Sequence, residues 1–235
     1  VTNFRKVIRF IYPLSIKLEL KRQHERALNF IEGYKTKIKV IFRVAAKTIH
    51  RPPLPQRVEG VYLNLGCGKT DHPKFINIDS FPHPHVHFVH RIDQLPMFSA
   101  NSVDLIYASH CLEHFKYRSI GLILDEWIRV LKHGGVLRLS VPDFDKLALI
   151  YQDTGDPDDI VEQIMGGQNN RYNFHYAIFN KMNLTKHLLR AGFTDIREWT
   201  PGESDLTTFL DFSVWQKGVA TKKYSISLNI EARKL

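Results

Sequence analysis

Cysteine is nearly absent: Cys67 and Cys111 are the only two in 235 residues. That excludes a disulfide framework and leaves no cysteine-based zinc motif, so a reducing compartment is expected. Long apolar runs are also missing. None reaches the roughly 18 residues that span a bilayer. The first residues alternate bases with apolar groups and show no secretory-signal pattern, so a cytoplasmic location is expected. Acid is scarce in the first quarter. Residues 1–57 hold 14 Lys/Arg against 3 Asp/Glu, a net of +11, whereas the remainder holds 19 and 21, a net of −2. The whole-chain charge of +9 therefore originates in the N-terminal quarter.

What the chain has in quantity is apolar residues, 43% of the total, enough for one domain with a proper core. Residues 3–11 and 15–48 read as helix broken near Pro13, with Phe30, Ile31, Tyr34, Ile38, Ile41 and Phe42 forming a stripe at helical spacing. Such a basic, aromatic-containing segment suits an anionic lipid surface, a nucleic acid or a protein; the plain alternative is a solvated helix packed on the domain. Arg51-Pro52-Pro53-Leu54-Pro55 is a stiff linker, which divides the chain into an extension over 1–57 and a domain over 58–235.

From residue 61 strands and helices alternate. Strands are expected at 61–65, 75–78, 86–90, 103–108, 135–141, 193–199 and 224–233, and helices at 118–132, 143–152, 157–165 and 181–191. Gly134-Gly135 reads as the stop of one helix and Gly192 as the stop of another. The expected fold is α/β: a Rossmann-like, doubly wound, mostly parallel seven-stranded sheet with an antiparallel C-terminal edge strand, preceded by a helical extension.

The densest signal is Val61-Tyr62-Leu63-Asn64-Leu65-Gly66-Cys67-Gly68, followed by Phe75-Ile76-Asn77-Ile78-Asp79. Glycines let backbone approach a ligand, and a carboxylate after the second strand accepts hydrogen bonds from ribose hydroxyls. A dinucleotide site wants a third glycine and an acid about 20 residues further on. Here Asp79 comes 11 residues after Gly68, and the third glycine is missing. The spacing disfavours NAD and favours a shorter adenosine-containing cofactor.

At this point the chain resembles class I S-adenosylmethionine (SAM)-dependent methyltransferases, and more narrowly a type 11-like bacterial group often encoded among polysaccharide-biosynthesis genes. The resemblance covers about residues 60–233. Asn64, Leu65, Gly66, Cys67 and Gly68 fall in the family's first motif; Asp79 matches its ribose-binding acid. Ile92 and Asp93, in Arg91-Ile92-Asp93-Gln94-Leu95-Pro96, match the segment beside adenine. Ser109 and His110 lie at the active-site end of the fourth strand, within Ser102–His114. Arg129-Val130-Leu131-Lys132-His133-Gly134-Gly135 resembles the family's RVLKPGG turn, with His133 in the place of proline. Phe174-His175-Tyr176 and Leu188–Phe193 match the narrower group. The resemblance implies SAM as cofactor and a methyl acceptor that is a sugar or related small metabolite.

Methyl transfer from a sulfonium is an in-line displacement, in which the protein chiefly aligns acceptor and methyl group. A hydroxyl acceptor also needs help losing its proton, which suits histidine. Ligands in such sheets bind at the carboxyl ends of the strands, which places His110, Glu113 and His114 at the rim. His175 lies in a loop rich in Gly and Asn, with Gly166-Gly167-Gln168-Asn169-Asn170, able to close over the acceptor. His114, His175 and Glu113 are therefore the catalytic candidates. Each has a plain alternative as a helix cap, a pocket wall or a loop anchor.

His83, His85, His87 and His90 form a second cluster, but Pro82 and Pro84 break the strand and no acid or cysteine completes a shell. Exposed edge-strand histidines are expected there, and no metal site. The catalytic domain's slight negative charge argues against nucleic acid. An anionic membrane surface met through residues 1–50 fits better and suggests peripheral attachment at the inner membrane face. A non-catalytic module acting through its basic helices is the alternative from another class. The oligomeric state is left open.

Overall fold

The structure, a computed structural model, describes residues 52–55, 60–203, 206, 211–219 and 222–235. The expected helices at 3–11 and 15–48, and with them the boundary near residue 57, lie outside the described residues.

Seven strands form one sheet: β1 (Tyr62–Leu65), β2 (Phe75–Asp79), β3 (Phe88–Val89), β4 (Val103–Ser109), β5 (Leu131–Pro142), β6 (Phe193–Glu198) and, last in the chain, β9 (Ser227–Lys234). Their order is β3-β2-β1-β4-β5-β9-β6. The first five strands run parallel, and β9 pairs antiparallel with both β5 and β6. The expected α/β class therefore holds. Its antiparallel strand sits one place in from the edge, because β6 pairs along its outer side.

The apolar residues of β1, β2, β4 and β5 are buried on both faces, as parallel strands require. On one face Leu63, Leu65, Ile76, Ile78, Ile106 and Leu139 meet α1 (Ile120–Val130) and α4 (Lys181–Arg190). Ile120, Ile123, Leu124, Trp127 and Val130 make the buried stripe of α1, and each such side chain contributes about 1.5–3 kcal/mol. On the other face Phe75, Leu105, Tyr107 and Trp199 form a smaller aromatic cluster. Asn180 caps α4 in a reciprocal capping box with Asn183, a local signal sufficient to start that helix.

Several boundaries differ from expectation for identifiable reasons. The expected 118–132 helix stops at Val130, and β5 begins at once at Leu131. Gly134-Gly135 consequently lies inside a bulge of β5, where Val103 faces Leu131 but Leu105 faces Val136. The expected 157–165 helix is a 3-10 turn, Pro157–Asp159, followed by the short α3, Val161–Met165. The C-terminal strand is preceded by a separate hairpin, β7 (Gln216–Val219) with β8 (Lys222–Ser225), which takes the residues expected at its start. The remaining helix, α2, spans Phe144–Thr154.

The histidine cluster also differs. β3 shrinks to two residues, and the alternation needed to align the imidazoles is lost. His87 is buried rather than exposed: its Nδ1 accepts from the Asn77 amide at 2.9 Å, and its Nε2 lies 3.2 Å from the Pro53 carbonyl. His83 and His85 stack, and His85 Nε2 lies 3.1 Å from the Gly68 carbonyl.

Candidate active site

A cavity of about 680 Å³ opens at the carboxyl ends of β1, β2 and β4. It lies within the range of pockets that hold a small organic ligand. Gly66, directly after β1, contributes to its floor. The Gly66 amide donates to the Ile78 carbonyl at 2.9 Å, and the residue turns with φ +66°. A Cβ placed there would meet the Cys111 Cβ at 2.7 Å, so two physical requirements demand glycine at this position. Gly68, with φ +54°, has no neighbour within 4 Å of where a Cβ would lie.

Asp79 ends β2 and faces the cavity while buried. Its Oδ2 accepts from the Gly68 amide at 2.8 Å and its Oδ1 from the Phe81 amide at 2.7 Å. The carboxylate therefore joins the glycine turn to the next loop and retains one lone pair on each oxygen for a ligand. Behind it, Asn64 Nδ2 donates to Asn77 Oδ1 at 3.1 Å, and Asn77 Nδ2 donates to Asp71 Oδ1 at 2.8 Å. These buried amides shape the 66–74 turn from below.

The second carboxylate, Asp93, lies across the cavity beside Ile92. Arg91 grips it with Nε at 2.9 Å from Oδ1 and Nη2 against Oδ2, and this pairing holds its carboxyl below the usual range. Helix α1 anchors that segment: Trp127 Nε1 donates to the Ile92 carbonyl at 2.8 Å, and Arg129 donates to the Leu95 carbonyl at 3.2 Å.

The fourth strand ends at Ser109, and His110 follows it with a φ of +49°, uncommon for a residue with a side chain. Its Nε2 lies 2.8 Å from Ser227 Oγ. Ser227 Oγ in turn donates to the Phe212 carbonyl at 2.6 Å, so the imidazole is the donor to serine. Glu113 follows on a 3-10 turn, Leu112–His114, with its Oε1 3.3 Å from His110 Nδ1. Burial pushes the Glu113 carboxyl up, but the imidazoles of His110, His114 and His175 outweigh it and bring the carboxyl below its usual range. His175 moves down, chiefly through burial and against the opposing pull of Glu113. Burial raises the Cys111 thiol well above its usual value, so this cysteine serves as packing.

Of the expected site residues, Gly66, Asp79, Ile92, Asp93, His110 and His114 line the one cavity. Asn64, Leu65, Cys67, Gly68, Ser109, Glu113 and His175 lie outside its lining. Gly68 and Glu113 instead hold or back residues that do line it, and Asn64 pairs with Asn77 beneath the turn. Sequence reasoning missed Ser80, Phe81, Arg91, Lys116, Arg171 and Tyr172, all of which line the cavity. Phe81 and Tyr172 meet edge to face at 4.9 Å, joining the loop after β2 to the Asn/Gly-rich segment. Only the approach of two loops distant in sequence identifies that wall.

Residues 63–139, about a third of the chain, match the family model described as a methyltransferase domain. No curated protein matches the chain. Among solved structures it is similar to a SAM-dependent methyltransferase from Archaeoglobus fulgidus, at 16% identity over 76% of this chain and 87% of that one, with a TM-score of 0.47. It is also similar to a possible histamine N-methyltransferase from Thermotoga maritima, at 16% identity over 90% and 97%, with a TM-score of 0.47. A third is the 1,6-didemethyltoxoflavin-N1-methyltransferase of Burkholderia thailandensis, solved with 1,6-didemethyltoxoflavin and S-adenosylhomocysteine bound, at 15% identity over 93% and 89%, with a TM-score of 0.44.

Proposed function

We propose that this chain, whose residues 63–139 match a methyltransferase-domain family model, is a class I SAM-dependent methyltransferase that transfers the methyl group to a hydroxyl of a sugar or related small metabolite. The observation that carries the reading is the cavity at the strand ends, where Gly66 and the two carboxylates Asp79 and Asp93 meet.

The residues fit the cofactor in kind. Asp79 offers acceptors to ribose hydroxyls, and Ile92 with Asp93 offers an apolar surface and an acceptor to the adenine. The Gly66 turn keeps the floor free of side chain for the amino-acid end. Bound SAM supplies a methyl group on a positively charged sulfur. The protein aligns an acceptor oxygen with it, and Phe81, Tyr172 and the 170–173 segment wall the open side of the cavity.

The catalytic proposal centres on His114, which lines the cavity, with Glu113 and His175 behind it. His114 Nδ1 lies 3.1 Å from the Phe174 carbonyl, so the ring is fixed with its other nitrogen free to assist deprotonation. Lys116 and Arg171 also line the cavity and can meet negative charge on an acceptor, whereas Arg91 is paired with Asp93.

The link to polysaccharide synthesis rests on the sequence resemblance. Cytoplasmic location rests on the scarcity of cysteine, and attachment to an anionic membrane through residues 1–50 rests on the charge excess there. Among the described residues no helix is long and apolar enough to cross a membrane. Incubation of the purified chain with methyl-labelled SAM and fractionated cell extract tests the function. Label is expected in a small hydroxyl-bearing fraction; label confined to protein or nucleic acid would overturn the acceptor class.

A further inference from the structure

Glu113 is 1% exposed, and neither of its carboxylate oxygens has a hydrogen-bond partner among the described residues. A buried carboxylate left in that condition costs free energy unless something positive reaches it. His110 Nδ1 approaches only to 3.3 Å of Oε1, without hydrogen-bond geometry, and Oε2 is unmatched.

Two further imidazoles converge on the same carboxylate. His114 is its neighbour on the 3-10 turn. His175 is delivered by the segment after the Gly166–Asn173 loop, which docks on Glu113: the Tyr176 amide donates to the Glu113 carbonyl at 2.8 Å, and the His175 amide donates to the Met165 carbonyl at 3.0 Å. The two rings stand 4.7 Å apart at 74°.

Their hydrogen bonds define the tautomers. His114 Nδ1 faces the Phe174 carbonyl at 3.1 Å, and His175 Nδ1 faces the Gln163 carbonyl at 2.8 Å. A carbonyl oxygen only accepts, so both Nδ1 atoms carry hydrogen and both neutral rings keep their lone pair on Nε2. Metal-ligating histidines are prepared in this way, with one nitrogen tied to a carbonyl and the other left bare. One ligand atom from each of Glu113, His114 and His175 falls within 4.8 Å of the others.

We propose that Glu113, His114 and His175 together bind one divalent transition-metal ion of the zinc class. Two imidazoles and a carboxylate are the donor set of three-ligand zinc sites with an open fourth position. Calcium and magnesium take oxygen ligands, and soft copper(I) takes sulfur. The donors draw in from a spacing of at most 4.8 Å to reach bonds of about 2.0–2.2 Å. The ion supplies a positive partner for Oε2, which no described residue meets, beside the His110 contact at Oε1. Because His114 lines the cavity, the open position is directed there.

Resting on the methyltransferase reading, that position is where an acceptor hydroxyl binds. His114 Nε2 is then a ligand of the ion and not the base of the simpler reading, and both histidines assist by holding the ion. The acceptor O–H proton passes to water, its oxygen forms the new bond to the methyl carbon, and the carbon–sulfur bond breaks with its electron pair left on sulfur.

The test uses the full chain, stripped with a chelator and titrated with Co²⁺, followed by visible absorption and competition with Zn²⁺. One Co²⁺ per chain with tetrahedral d–d bands is expected, displaced by Zn²⁺. His114→Ala and His175→Ala should each weaken binding by about tenfold or more, and Glu113→Gln likewise. The exposed His133→Ala should leave it unchanged. Circular dichroism and S-adenosylhomocysteine binding report whether each variant folds. No tetrahedral Co²⁺ spectrum in folded protein, or a spectrum and affinity unaltered in both folded histidine variants, would overturn the site. S-adenosylhomocysteine binding without Co²⁺ binding sinks the metal site and spares methyl transfer; Co²⁺ binding without S-adenosylhomocysteine binding does the reverse.

Discussion

Replacing Gly66 with alanine introduces two separable costs. The residue sits at φ +66°, where an L side chain costs about 1–2 kcal/mol. The new Cβ would also lie 2.7 Å from the Cys111 Cβ, an atom fixed to its own backbone and unable to rotate away. Overpacking of this kind costs about 1–3 kcal/mol more. The sum, about 2–5 kcal/mol, is a large share of the roughly 5–15 kcal/mol that holds a domain folded. Gly68→Ala is the internal control: its φ is +54°, but nothing lies within 4 Å of the added carbon. It should cost only the backbone component, about 1–2 kcal/mol. Urea unfolding of the two variants should therefore separate them by about 1–3 kcal/mol. Adding Cys111→Ala to Gly66→Ala should not restore stability, because it removes Sγ at 3.3 Å and leaves the closer Cβ. Equal destabilisation of the two glycine variants, or rescue by Cys111→Ala, would refute the reasoning.

Three further outcomes follow from the same geometry. Asp79→Asn places an amide against a backbone donor that the carboxylate now satisfies, and removes a charged acceptor from the cavity. SAM affinity should fall by the equivalent of about 1.5–3 kcal/mol, tenfold or more by calorimetry. Glu231 is buried between Arg138 at 2.8 Å and Arg197 at 3.0 Å; burial raises its carboxyl, but the two guanidiniums outweigh this and the net shift is downward. Its stabilisation is fully present above the ordinary glutamate range and is lost as pH falls through the lowered folded value, so Glu231→Gln should flatten the acid limb of a stability-against-pH curve. Arg138→Met should destabilise more than Arg197→Met in urea, since their side chains are 11% and 56% exposed and water replaces the second more readily.

The parallel part of the sheet was readable because it is written in local code. β1, β2 and β4 are apolar runs bounded by turn residues, and the helices α1 and α4 repeat their apolar residues at helical spacing. β9 alternates cleanly as well, yet its neighbours were not readable. Which strand pairs outside it depends on β6 reaching over from residue 193, a contact with no local trace. Gly134-Gly135 misled for a related reason. A glycine pair serves a helix stop and a strand bulge equally well, and only the pairing of β5 with β4 decides.

The site divides in the same way. Gly66 and Asp79 were legible as a spacing, and the structure adds that Asp79 and the Gly68 amide are joined at 2.8 Å. Asn64 has the polarity of a binding residue but spends it on Asn77, beneath the turn. The Phe81–Tyr172 wall and the meeting of Glu113, His114 and His175 join residues about 60 or more positions apart, so no periodicity foretells them. The sequence signal available for His175 was its place beside a glycine- and asparagine-rich loop.

The central claim, that the cavity between Gly66, Asp79 and Asp93 is a methyl-donor site, is tested most directly by titration calorimetry of the full chain with SAM, S-adenosylhomocysteine and NAD. The account predicts one-site binding of the first two, weakened in Asp79→Asn, and none of NAD. Absence of binding by both SAM and S-adenosylhomocysteine, or binding of NAD in their place, would contradict it.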